Sequence, residues 1–176
     1  FSIFPRSDGT AASMLETVMI HHVSAETGVW VGPRAEYAIP PDALDAYLRS
    51  RDAWAPVSGP DDLNTIHDGN RYLVTFDDGY RNNLTQALPV LEQHETPCLL
   101  FVTTGFIDGT IYPYELELAS VIGEADVLDI PDQARRVSLR DLTDRSSLYR
   151  SLRLPLKQRR HEARESFMER LADQNG

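Results

Sequence analysis

Two adjacent carboxylates, Asp77 and Asp78, close an apolar run and are followed by Gly79 in the stretch LVTFDDGY, residues 73–80. Successive side chains on a strand point to opposite faces. Neighbouring acids therefore serve one site only where the strand ends and the backbone turns. Gly79 supplies that turn, because a residue without a Cβ accepts φ > 0 and lets a ligand approach the backbone. In parallel α/β folds the carboxyl end of a strand is where ligands bind. Two unpaired, half-buried carboxylates cost on the order of several kcal/mol, and one takes up a proton unless a cation sits beside them. A divalent metal resolves the conflict. One Asp ligates it, and the other is left to take a proton from metal-bound water. On spacing alone the competing reading is a solvated Asp-Asp-Gly turn behind a core strand, since both residue types favour turns.

The elements that must position this pair are legible on either side of it. Arg71–Phe76 is the clearest strand, and TVMIHHV, residues 17–23, is a second, rich in β-branched residues. PPDALDAYLRSR carries Leu44, Tyr47 and Leu48 at helical spacing, with Pro41 suited to a first turn. AWAPV reads as a short strand, and a turn is expected at Asp68-Gly69. After Gly79, the residues Leu84, Ala87, Leu88 and Leu91 mark one face of a helix over 82–94, which Pro89 should kink. PCLLFVTTG is a strand apolar at nearly every position, as in a parallel sheet covered on both faces. Strand, helix, strand at this spacing predicts a right-handed βαβ unit. Residues 1–16 are weakly patterned and read as a leader. Beyond Gly109 the character changes: IYPYELELASVI is helical, RRVSLRDL is a strand or hairpin arm, and Ser146–Asp173 is charged and helical with a break at Pro155.

The bulk of the sequence narrows the partners. Among 176 residues, 41% are apolar and 25% charged, ordinary for one globular domain with a sizeable core. The net charge of −10 speaks against a nucleic-acid backbone or an anionic membrane surface and suits a neutral or cationic substrate. Cys98 is the single cysteine, which rules out an internal disulfide without deciding the compartment. No apolar run approaches the roughly 20 residues of a membrane span.

TFDDGY followed by RNN resembles the first motif of the polysaccharide deacetylase family, carbohydrate esterases marked by TFDDG. VMIHHV is similar to that family's first strand, IPPDALDAYLRSRDAWAPVS to its next helix and strand, and ALPVLEQHETPCLLFVTTGFI, with Pro89, to the helix and strand after the motif. The resemblance spans about residues 17–109. It implies an α/β fold: a distorted (β/α) barrel of about seven parallel strands, of which residues 17–110 supply roughly the first half. Residues 111–176 resemble a helical insertion found in some bacterial members, so the chain reads as the N-terminal part of a longer enzyme. The implied activity is metal-dependent hydrolysis of N-acetyl groups on amino-sugar polysaccharides, with metal-bound water attacking the acetamide carbonyl. Carried over by position, Asp77 is the general base and Asp78 a metal ligand, the metal being divalent and most simply zinc.

The family's second motif, His-Ser/Thr-x-x-His, is absent. The histidines are His21, His22, His67, His94 and His161, and no two are four apart. A catalytic zinc has three protein ligands and water, so the site reads as incomplete within this chain. A catalytically inactive carbohydrate-binding homologue is the alternative. By resemblance His21 lines the pocket beside Asp77, while His22 falls on the opposite face of the strand. Arg81 and Asn82 at the helix start, and Thr104 after the next strand, are further substrate-contact candidates, with Thr103 facing the same mouth. A half-barrel leaves an open parallel edge, to be covered by the remaining half or by a second copy. Family precedent favours the cell envelope or secretion.

Overall fold

The computed structural model describes residues 2–3, 13–25, 32, 37–64, 68–111, 113–133 and 135–175. It falls into two units, Phe1–Thr27 with Tyr37–Thr104, and Gly28–Glu36 with Gly105–Gly176. The division thus comes at Thr104–Gly105, earlier than the boundary at 110 drawn from sequence.

The first unit is an α/β layer built around one strand. β6 (Arg71–Asp77) has Tyr72 through Phe76 all buried, so both of its faces are covered. β2 (Met14–Ile20) runs parallel along one edge, with Leu15 opposite Arg71 and Ile20 opposite Phe76. The other edge is shared by two parallel strands. β5 (Ala55–Pro56) pairs with Arg71 and Tyr72, and β7 (Cys98–Phe101) pairs Val74 with Cys98 and Asp77 with Phe101. β1 (Ser2–Ile3) adds to β2 antiparallel. The described strands make an open five-stranded sheet, and no closed sheet forms among them. The expected leader is corrected at its end, because residues 14–16 already belong to β2 and Ser2–Ile3 pair with it.

The predicted strand 17–23 is in fact two strands. β2 stops at Ile20, and β3 (His22–Val23) pairs instead with β4 (Ala38–Ile39) in a separate two-stranded sheet. The break falls at His21. Helix α1 (Pro41–Arg49) follows Pro40 and buries Leu44 and Leu48, as its spacing predicted. The core joins these leucines to Ile20, Val23, Val74, Phe76, Ala87 and Leu91. His94 Nε2 lies 2.7 Å from Asp45 Oδ1, tying α1 to the far end of the crossover helix.

That crossover helix differs from expectation. Residues Asn83–Ala87 form a π-turn, with the Leu88 N–H donating to the Asn83 carbonyl, and α2 (Leu88–Gln93) continues it. Pro89 has no N–H for the carbonyl four residues back, and an i→i+5 turn is one way a helix absorbs such a gap. The wide turn shifts the phase of the buried face. Asn83, Ala87 and Leu91 point inward, whereas Leu84 is 66% exposed. β7 is also less covered than its composition suggests. Leu100 and Phe101 are exposed because β7 has a strand partner, β6, on one side only among the described residues.

The second unit has its own core. Short helix α3 (Thr104–Ile107) begins at the junction. Helices α4 (Tyr114–Glu124), α5 (Leu142–Gln158) and α6 (His161–Asn175) enclose an antiparallel hairpin of β8 (Val127–Ile130) and β9 (Arg135–Ser138). Leu118, Ile122, Leu128, Tyr149, Leu152, Phe167 and Leu171 are among its buried residues. Within this unit Gly32 packs so closely that an added Cβ would stand 2.5 Å from the Ala119 Cβ. Asp141 caps α5, its carboxylate accepting from the Asp144 N–H. α5 runs through Pro155 rather than breaking there, since Leu152 and Leu156 on either side are buried. The break comes at Arg159–Arg160.

Candidate functional site

β6 delivers the aspartate pair to the carboxyl end of the sheet. Asp77 is its last residue, and its backbone is still paired with Phe101. The chain then leaves the strand through two consecutive left-handed residues, Asp78 at φ 68° and Gly79 at φ 72°. That conformation costs a non-glycine residue about 1–2 kcal/mol, and such outliers concentrate at functional sites. Gly79 suits the step, since a Cβ there would need a left-handed backbone and would lie 3.1 Å from Val102 Cγ1, which would have to give way. The turn has a chemical result: Asp78 escapes the strict alternation that would carry it to the face opposite Asp77.

Each carboxylate has a polar neighbour. Asp77 Oδ2 stands 3.9 Å from His21 Nε2, with both side chains about 30% exposed. The register explains this, because Ile20, the last residue of β2, lies opposite Phe76, and the next residues along the two segments are His21 and Asp77. The His21 ring is 5.6 Å from that of Tyr37. Asp78 Oδ1 accepts a hydrogen bond of 3.1 Å from Thr103 Oγ1, beyond the end of β7.

The remaining candidates disperse. His22 is buried at 2% exposure, stacks on Tyr80 with ring centroids 3.9 Å apart, and lies 3.3 Å from Asn82 through its Nδ1. Asn82 Nδ2 is therefore turned toward His22. Arg81 and Thr104 are exposed. Thr103, rather than Thr104, is the threonine that reaches the aspartate pair. Asn83 was not singled out from sequence. It is 8% exposed, and its side-chain amide has no hydrogen-bond partner among the described residues. The phase of the π-turn buries it, and that phase is invisible in a periodicity count.

A divalent metal does not find a full ligand set here. No three of His, Cys, Asp and Glu converge among the described residues. His94 is held by Asp45, and His161 pairs with Glu165 at 3.1 Å within the second unit. His67 lies outside the described residues. What the strand end offers is one carboxylate oriented by a hydroxyl, one carboxylate beside an imidazole, and a glycine turn between them and β7. Such a group can accept a proton and contribute one oxygen ligand.

Residues 66–142 match the family model described as polysaccharide deacetylase. The Streptococcus pyogenes deacetylase PplD, solved in complex with acetate, aligns at a TM-score of 0.46 and 16% identity, over 60% of this chain and 51% of its own. IcaB from Ammonifex degensii aligns at a TM-score of 0.37 and 26% identity, over 50% of this chain and 37% of its own. The chain thus spans about half or less of these solved chains. No curated protein matches the sequence. The aspartate pair lies inside the matched span, so over residues 66–142 the chain is similar to the polysaccharide deacetylase family.

Proposed function

We propose that this chain carries the base and one ligand of a metal-dependent hydrolase that removes N-acetyl groups from an amino-sugar polysaccharide. The observation that supports it most is the aspartate pair at the carboxyl end of the central parallel strand, turned by a left-handed Asp-Gly step, inside the family match. In this reading Asp77 is the general base. His21 beside it shares the developing charge and limits the directions the carboxylate takes. Asp78 is a ligand to a divalent metal, most simply zinc, and Thr103 orients its oxygen. No further ligands converge on it among the described residues. Thr104 and Arg81, exposed near the same strand ends, remain proposed glycan contacts, and the glycan is N-acetylated. The sheet edge at β7 is covered by further strands of a distorted barrel or by a second copy. A base in hydrogen-bond reach of its proton typically contributes about 10²–10⁴-fold to the rate.

Acetate release from N-acetylated amino-sugar polymers by the full-length protein is the test. Release that stops with Asp77→Asn and with chelator supports the reading. No release from chitin-type, peptidoglycan-type or exopolysaccharide-type substrates overturns it. The lack of a three-donor cluster among the described residues favours one second reading, a carbohydrate-binding homologue without catalysis. It predicts glycan binding, without turnover, that survives Asp77→Asn.

A further inference from the structure

Tyr37 stands just before β4, and strand pairing brings it to the aspartate pair in two steps. β3 and β4 pair in parallel with His22 opposite Ala38. The residues before them, His21 and Tyr37, are therefore neighbours, with ring centroids 5.6 Å apart and planes at 32°. His21 in turn has its Nε2 3.9 Å from Asp77 Oδ2. One imidazole is thus the shared neighbour of the carboxylate at the strand end and of the tyrosine ring. Among the described Phe, Tyr and Trp side chains, two are strongly exposed, Tyr37 at 39% and Phe101 at 57%. The open side of β7 accounts for Phe101. Tyr37 stays exposed in spite of its contact with His21, so a large apolar surface faces solvent beside the site.

We propose that Tyr37 is a glycan-binding residue, its ring the platform for a neutral pyranose whose acetamide, or that of the adjoining sugar, faces Asp77. The identity of the glycan and the role of Asp77 rest on the proposed function. A pyranose offers an apolar face of C–H groups and a rim of hydroxyls. A tyrosine ring meets both, with a negative π face for the C–H groups and a phenol at its edge for the rim. It is also ordered at low entropic cost, having two side-chain torsions. The ring has no charge at neutral pH, which suits an N-acetylated sugar. A platform away from the reacting atoms binds the ground state and the transition state alike. Tyr37 therefore acts on KM and on affinity, with kcat left to the aspartate pair.

Calorimetric titration of the full-length protein with chitin-type and exopolysaccharide-type N-acetylglucosamine oligomers tests this without turnover. Tyr37→Ala should weaken binding about 3–10-fold, the loss of one aromatic contact, and Tyr37→Phe should keep most of the affinity. In the acetate assay Tyr37→Ala should raise KM by a similar factor and leave kcat near wild type. Should Tyr37→Ala fail to fold, NMR of the wild-type protein labelled at tyrosine carries the test. The Tyr37 ring signals, identified by their loss in Tyr37→Phe, should shift as the oligomer is added. Unchanged binding in folded Tyr37→Ala would overturn the proposal, whatever the loss in melting temperature, since packing against His21 would then account for the ring. Unmoved Tyr37 signals, or no binding of either oligomer, would overturn it as well. Binding that weakens in Tyr37→Ala while no substrate releases acetate would sink the hydrolase reading and leave this one standing. Acetate release with KM unmoved in Tyr37→Ala would sink this one alone.

Discussion

At the scale of the residue, the two aspartates differ in backbone as much as in chemistry. Asp77 ends a strand in regular pairing, while Asp78 sits at φ 68° with its carboxylate accepting from Thr103. In the proposed function the first is the proton acceptor and the second the metal ligand. In the full-length protein, Asp77→Asn should lower acetate release by about 10²-fold or more while leaving metal content near wild type. Asp78→Asn should reduce both. Acetate assay paired with metal analysis checks this, and equal metal loss in the two variants would show the assignment of roles to be wrong. The pair was legible in sequence because TFDDGY resembles a family motif, whereas spacing alone left a solvated Asp-Asp-Gly turn equally open. The partners were not, because Thr103 and His21 come from other strands, and only the register brings them to the strand end.

At the scale of the element, the strand exit and the crossover helix carry the information. Gly79→Ala should destabilise by about 1–2 kcal/mol for the left-handed backbone, plus the contact of the new Cβ with Val102. Adding Val102→Ala should recover only the contact part, as read by urea unfolding. The helix offers a sharper test of its phase. Leu91→Ala, at 3% exposure, should cost about 2–5 kcal/mol, whereas Leu84→Ala, at 66%, should cost little. A simple α-helix through residues 82–94 would place both leucines on one face and make the two costs comparable. Spacing alone suggested that arrangement, and the i→i+5 turn beside Pro89 is what changes it.

At the scale of the whole molecule, each unit has its own core and its own electrostatic signature. In the second unit, burial, reinforced by nearby Glu169, pushes the Glu117 carboxyl above its ordinary value near 4.5. A raised carboxyl pKa favours folding while the group is protonated, and that contribution is lost as pH rises through the folded pKa. Glu117→Gln should therefore raise the melting temperature at neutral pH, and the gain should shrink below about pH 4. In the first unit Glu16 runs the other way. Two hydrogen bonds from Arg51, at 2.7 and 2.8 Å, hold its carboxyl below the usual range. Its contribution is present above the unfolded pKa and fades as pH falls through the folded one. For metal, calorimetric titration of this 176-residue chain with zinc should find no site at micromolar affinity, about −8 kcal/mol. A tight site that vanishes with Asp78→Ala would show that the fold assembles ligands the linear spacing hides.

What the sequence by itself determined is the local chemistry. Hydrophobic runs with β-branched residues specify β2 and β6, Pro41 and the leucine spacing specify α1, and TFDDG carries the resemblance to the polysaccharide deacetylase family. These depend on neighbours within a few residues, where sterics and patterning act directly. Only the tertiary structure decided the rest. It broke the first strand at His21, because His22 and Val23 pair with Ala38 and Ile39 rather than continuing the ladder along β6. It left Leu100 and Phe101 exposed, because coverage of a strand depends on what packs beside it, not on its own composition. It carried α5 through Pro155, because buried leucines on both sides outweigh one missing hydrogen bond. And it gave Asp78 its threonine, a contact set by the parallel pairing of β6 with β7 across 25 residues of chain, which no local pattern encodes.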